Sequence, residues 1–213
     1  MPVSTTTGKR WAGTGRARLA LAGLCALVAA GCGGSGSPFD NASNINNSGG
    51  GASGQKLSLS YFQKCINPIF KKALTINLNG TLSVNTCAGS GCHDNSTGTG
   101  GAFRVIGSAP DVDTVVSATN TEDMIRASDM YKNFFSAQGS AVISAPTQSR
   151  LVGKPLLLNV LHGGGLIFLN SDVPEVKEML YWIGRPAPPQ QDEFGAFGLG
   201  LLTPTGACQN PSP

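Results

Sequence analysis

Hydrophobic and polar positions change period several times along the chain, and each change marks an element. In "SYFQKCINPIFKKAL", residues 60–74, Tyr61, Phe62, Cys65, Ile66, Ile69 and Phe70 recur at helical spacing. Ser60 with Gln63 three positions on reads as a capping box, and Pro68 predicts a kink. "LTINLNGTLSV" then switches to alternation. Leu74, Ile76 and Leu78 run up to an Asn79-Gly80 turn, and Leu82 and Val84 alternate after it, which predicts a β-hairpin. The glycine-rich "NSTGTGGAFRVIG" reads as a loop with a short strand through Phe103 and Val105. "TEDMIRASDMYKNFFSAQG" predicts a helix capped by Thr121 and ended by Gly139, with Met124, Ile125, Tyr131, Phe134 and Phe135 on one side. "TQSRLVGKP" is a shorter helix stopped by Gly153 and Pro155. "SDVPEVKEMLYWIG" is the last, with Asp172 and Glu175 at its start and Gly184-Arg185-Pro186 as its stop. Val176, Met179, Leu180 and Ile183 form its inward stripe, flanked by Trp182.

The segments outside these elements divide the chain. Residues 1–31 carry Lys9, Arg10, Arg16 and Arg18 ahead of "LALAGLCALVAAG", an apolar run too short to span a bilayer. That is the layout of a secretory signal. The junction "LVAAGC" resembles the lipobox of bacterial lipoproteins, which implies acylation of Cys32, a lipid anchor in the cell envelope, and removal of residues 1–31. Gly33 differs from the inner-membrane retention aspartate of those lipoproteins, so the expected location is the outer membrane, facing the periplasm. Residues 32–56 are nearly devoid of apolar side chains and read as a Gly/Ser/Asn-rich tether. Residues 57–185 form one domain long enough for a real core, and residues 186–213 are a Pro/Gly-rich tail that wraps the domain or hangs loose.

Charge then changes meaning. The chain has 15 basic and 12 acidic residues, but four of the basic ones fall in the signal. The exported part is close to neutral, so nothing points to nucleic acid as a partner.

Cysteine and histidine carry the candidate chemistry. Beyond Cys32 the exported part holds Cys65, Cys87, Cys92 and Cys208, and an oxidising compartment does not favour idle thiols. If all four pair, three connectivities are possible. "NTCAGSGCHDNS" sets Cys87 and Cys92 five apart with His93 directly after. Thiols that add to porphyrin vinyl groups, followed by a histidine for the iron, are how c-type haem is attached, although the usual spacer is two residues and here it is four. Ala-Gly-Ser-Gly is compliant enough to loop outward, and equally suits a disulfide loop. If Cys87 and Cys92 carry haem, Cys65 and Cys208 are left to each other. Zinc on Cys87, Cys92 and His93 would lack a nearby fourth ligand. "HGGG" at 162–165 is also an oxyanion-hole element of esterases, but no downstream Gly-x-Ser-x-Gly elbow or later histidine accompanies it.

The succession "YFQKCINPIF", "CAGSGCHDNS", "GGAFRV", "SRLVGKPLLLNVLHGGGLIF", "EVKEMLYWIG" resembles the class I cytochrome c-like domains of bacterial envelope proteins. The likeness is a series of short pieces over residues 60–185. It implies a mainly α, cytochrome c-like helical domain with an inserted β-hairpin. It further implies haem c on Cys87 and Cys92, with His93 as proximal axial ligand and single-electron exchange with redox proteins of unknown identity. Two features depart from that pattern: the wider cysteine spacer, and the missing Met-Pro ahead of the last helix. His162 stands at that place and is the candidate distal ligand, with Met124 and Met130 as alternatives and Met179 assigned to packing. The expectation is an electron carrier or binding module and not an enzyme. The competing reading is a haemless, disulfide-stapled structural or binding lipoprotein of the same fold.

Overall fold

A computed structural model describes residues 56–78, 81–143 and 145–209, with Gly8 isolated outside them. The lipobox, Cys32, the tether up to residue 55 and the Asn79-Gly80 turn therefore lie outside the described residues. Apart from Gly8, the described residues all belong to one unit, Ile45–Pro213. It is partly helical, with long irregular segments between helices, and the only sheet among the described residues is a two-stranded antiparallel hairpin.

The first helix, α1, runs through Leu59–Tyr61, Phe62–Ile66 and Asn67–Lys71, and its middle segment is π-helical. Its cap is Ser58 rather than Ser60: Ser58 Oγ accepts the Tyr61 N–H at 3.1 Å. Gln63, expected in a capping box, instead clamps a distant loop. Its amide donates to Val112 O at 3.0 Å and accepts from Val112 N at 2.9 Å. Pro68 has no N–H for Lys64 O, and its ring crowds that carbonyl. The helix answers by widening one turn, so that Asn67 N–H reaches back to Phe62 O. The expected kink is thus a π-bulge. It keeps Tyr61, Phe62, Cys65, Ile66, Ile69 and Phe70 all in the core.

Strands β1 (Leu74–Leu78) and β2 (Thr81–Asn85) pair with Ile76 opposite Ser83 and Thr75 opposite Val84. Successive side chains alternate faces, so Leu74 and Ile76 share a face, while Leu82 and Val84 lie on the other. Ile76 is buried; Leu82 and Val84 are exposed.

The helix expected over 121–139 is two. Helices α2 (Glu122–Ala127) and α3 (Asp129–Gln138) meet at Ser128, which is extended at φ −71° and ψ 155°. Its hydroxyl donates to Ile125 O at 2.6 Å and accepts Tyr131 N–H at 3.1 Å, closing one helix and capping the next. The break resets the helical phase. Tyr131 and Phe134 go inside, while Met124 and Phe135 are exposed instead of buried.

After the 3-10 turn Pro146–Gln148 comes α4 (Arg150–Gly153), and then α5 (Pro174–Ile183). Val173 is the N-cap of α5 and Pro174 its first residue, so Asp172, expected at the helix start, lies just outside it. Asp172 pairs with Lys177 and Glu175 with Lys72. Trp182 does not flank the stripe but fills the centre. Its indole N–H donates to Ser58 O at 2.9 Å, and its ring lies 5.5 Å from Phe62.

The described part of the tail wraps the domain. Leu59 N–H donates to Glu193 O, Ala187 N–H to Lys56 O, and Tyr61 Oη to Gln209 O. Gly198, in the 3-10 segment Ala196–Leu201, presses against Ser58 and Ser60 so closely that a methyl group there would lie 2.2 Å from Ser58 Oγ. Cys208 is joined to Cys65 across 143 positions of sequence, with Cα atoms 5.7 Å apart.

Candidate functional site

The segment from Cys87 to Val105 is organised by backbone hydrogen bonds reinforced by polar side chains. Ala88 N–H donates to Phe70 O, which fixes the segment to the end of α1. The four-residue spacer then coils on itself. Gly89 O receives Cys92 N–H at 3.0 Å, and Cys87 O receives His93 N–H at 2.9 Å. Gly91 supplies the one left-handed residue of that coil, at φ +77°. Asp94 closes it. One carboxylate oxygen, Oδ1, accepts four bonds, from the N–H and hydroxyl groups of Ser96 and Thr97. Those bonds hold the Asp94 carboxyl well below the usual carboxylate range.

The glycine-rich loop folds back onto the histidine. Gly100 N–H donates to Cys92 O at 2.8 Å and Val105 N–H to His93 O at 2.7 Å. This return places Phe103 O 3.0 Å from His93 Nδ1 and the Phe103 ring 4.7 Å from the imidazole. Only glycine fits at 100, since a Cβ there would meet His93 Nδ1 at 2.3 Å. His162 is held by its own turn. Gly165 N–H donates to His162 O at 2.9 Å, and Gly165 O lies 2.9 Å from His162 Nδ1, with Gly165 at φ +71°. Gly165 therefore supplies the tight turn that grips the ring.

These contacts orient both rings. A carbonyl oxygen only accepts, so each Nδ1 carries a proton. Burial holds His93 below the usual histidine pKa, against the pull of Phe103 O, with His162, Arg104 and Lys154 adding to the lowering. The two imidazoles are nearly parallel, 11° apart, with centroids 6.3 Å apart. That is well beyond the roughly 3.5–4.0 Å of atoms in contact, so face-to-face packing does not align them.

Of the alternatives to His162, Met130 is in the core and Met124 is 59% exposed; the ring paired with His93 is that of His162. Met179 is packed in the core. Cys87 and Cys92 are both unpaired and half-buried. Burial, with Cys92 second, pushes the Cys87 thiol up to about 11. Among the described residues no three His, Cys, Asp or Glu side chains converge as a metal cage, so Cys87, Cys92 and His93 do not form the zinc-like group weighed above. Leu157, Leu158, Leu161, Leu166 and Leu169, around His162, are all exposed, Leu161 by 90%. Leu157 and Asn159 hold positive φ angles of 54° and 56°.

Sequence reasoning had missed Gly100, Phe103 and Gly165 as the residues that hold the rings. The available signal was glycine within a few positions of each histidine. No helix among the described residues is long and apolar enough to cross a membrane. No family model, no curated protein and no solved structure matches the chain.

Proposed function

We propose that this chain is a single-electron carrier of the bacterial envelope, holding a c-type haem between His93 and His162 in a cytochrome c-like domain. The observation that carries the reading is the histidine pair: near-parallel rings 6.3 Å apart, each with Nδ1 committed to a backbone carbonyl and, among the described residues, no hydrogen bond at Nε2. A group held there would be bound through Nε2 of His93 and Nε2 of His162, with each Nδ1 kept on its carbonyl. Protonated Nδ1 with a backbone acceptor is also how ligating histidines are ordinarily oriented.

The residues around the pair fit the same group. Cys87 and Cys92 are the only thiols among the described residues left outside a disulfide, and they adjoin His93. The exposed leucines of the His162 loop form an apolar fringe of the kind that a large flat ligand covers. Haem bound there supplies one-electron redox chemistry. Two histidine ligands leave no open iron position, which favours electron transfer over peroxidase chemistry, and they set a lower potential than a histidine–methionine pair. The lipobox supports anchoring through Cys32, with the tether lifting the domain from the outer membrane. Residues 57–185 are the haem-bearing part, and a redox protein is the partner.

A second reading rests on Cys65–Cys208, which staples the domain without any cofactor; it makes the chain a haemless structural or binding lipoprotein. One experiment separates the two. The full chain, expressed with haem-attachment machinery, is examined by pyridine haemochrome spectrum and intact mass. The mass of one haem on the polypeptide and a low-spin spectrum lost in His162→Ala are expected. Colourless protein with Cys87 joined to Cys92 sinks the haem reading, and an unchanged low-spin spectrum in His162→Ala removes the distal ligand.

A further inference from the structure

The spacer between Cys87 and Cys92 is two residues longer than haem attachment ordinarily uses, and one side chain closes it. Asn85, the last residue of β2, has Oδ1 2.8 Å from the Thr86 N–H. That donor fixes the amide orientation, because an N–H can face only the oxygen. The amide N–H groups consequently face the spacer. Nδ2 lies 3.4 Å from Cys92 Sγ and 3.4 Å from Ser90 O. Gly89 makes room for the arrangement: a Cβ there would lie 1.9 Å from Asn85 Oδ1. One amide thus ties the strand end, the far side of the spacer and the second sulfur together.

We propose that Asn85 is a positioning residue for attachment, holding Cys92 Sγ in place across the widened spacer so that Cys87 and Cys92 can both react. This rests on the haem reading. In each attachment the thiol S–H adds across a vinyl C=C: sulfur bonds to the inner vinyl carbon, the proton goes to the terminal carbon, and nothing is oxidised or reduced. Cys87 is placed through the neighbouring Ala88–Phe70 bond, and the Asn85 amide nitrogen reaches the sulfur of Cys92. The sulfur that loses its guide when Asn85 is removed is Cys92.

Asn85→Ala and Asn85→Asp separate the possible roles. Aspartate keeps the acceptor for Thr86 N–H, and with it the turn, but has no N–H for the sulfur. Both variants and the wild type are prepared as full chains with haem-attachment machinery, and the thioether bonds are counted by peptide mass. The doubly linked share is expected to fall about fivefold in both variants, the weight of one modest hydrogen bond, leaving haem joined through Cys87 alone. The remaining vinyl group moves the haemochrome band to longer wavelength. In haem-free protein, alkylation of Cys92 relative to Cys87 is expected to slow about fivefold in Asn85→Ala and further in Asn85→Asp, where a carboxylate beside the sulfur also disfavours the reactive thiolate. Double attachment at the wild-type level in both variants overturns the role of Asn85 alone, as does restoration by aspartate or an unchanged alkylation ratio. Wild-type protein that takes up no haem overturns the underlying reading instead.

Discussion

Replacing Gly100 by alanine tests whether the glycine-rich loop holds His93. The added methyl group would lie 2.3 Å from Nδ1, 2.4 Å from Cε1 and 2.9 Å from Cys92 O. Ordinary contact needs about 3.5–4.0 Å, so the ring edge must retreat by roughly 1.2–1.7 Å. The loop can yield little on its side, because Gly100 N–H is bonded to Cys92 O at 2.8 Å. A ring shift of that size stretches the 3.0 Å Nδ1–Phe103 O contact beyond hydrogen-bonding range. The lost bond costs about 1 kcal/mol, and overpacking against the ring and Cys92 O adds about 1–2 kcal/mol. Urea unfolding of the haem-free protein is therefore expected to show a loss of about 2–3 kcal/mol. Gly101→Ala is the control. Gly101 sits at φ +80° with nothing within 4 Å of a Cβ, so only backbone strain of about 1 kcal/mol applies. The His93 Nδ1–H resonance, followed by nitrogen-edited NMR, is expected to lose its hydrogen-bonded shift in Gly100→Ala and keep it in Gly101→Ala. A Gly100→Ala protein with wild-type stability and an unmoved Nδ1–H signal would refute the claim that this loop orients the ring.

Three further outcomes follow from particular contacts. Glu193 is buried and accepts from Tyr131 Oη at 2.5 Å and Arg126 Nη2 at 3.2 Å; Glu193→Ala leaves Arg126 with Glu122 alone and the buried Tyr131 hydroxyl without its acceptor, and chemical denaturation is expected to show a loss of about 1–3 kcal/mol. Cys65→Ser/Cys208→Ser removes a link spanning 143 positions, for which chain entropy gives up to about 5 kcal/mol, and the tail should become protease-sensitive before the helices do. The Asp94 carboxyl is held below its ordinary 3.8 by Ser96 and Thr97, so its stabilisation is present above that value and is lost as pH falls through the lower, folded one. Asp94→Asn should flatten the acid limb of thermal stability below pH 4, as read by circular dichroism, with the neutral-pH limb keeping its slope.

Periodicity located the elements because it reports burial, and burial is what the core imposes. It misplaced their ends for local reasons. Ser58 and Ser60 are equivalent by type, and tertiary contacts that the pattern does not carry, such as Trp182 Nε1 on Ser58 O and Leu59 N–H on Glu193 O, hold the segment in which Ser58 caps the helix. Ser128 carries a capping signal that a continuous apolar pattern outweighed in the reading, and that error exchanged Met124 and Phe135 for surface positions. Leu82 and Val84 alternate correctly, but alternation alone does not say which face meets the protein; the pairing register does. At the site, His93 and His162 stood out because histidine is scarce, while their orientation was invisible. It depends on the carbonyls of Phe103 and Gly165, and a backbone carbonyl has no side-chain identity to read.

The two rings are placed by parts of the chain that share little. His93 belongs to a coil hung from the end of α1, and its partner to a turn closed within four residues. Each nevertheless commits Nδ1 to a carbonyl, and among the described residues neither Nε2 has a hydrogen-bond partner. Two unrelated turns thus make the choice of ring nitrogen that the proposed pair of ligands would require. The Leu157 and Asn159 backbones sharpen the point. Left-handed conformations at non-glycine residues cost of order 1–3 kcal/mol each, and here they occur in the segment leading to His162. Such strain persists where a particular placement matters more than local ease. On the reading proposed above, a ligand that bonds to both Nε2 atoms at once would give the two choices, and the strain beside one of them, a single cause.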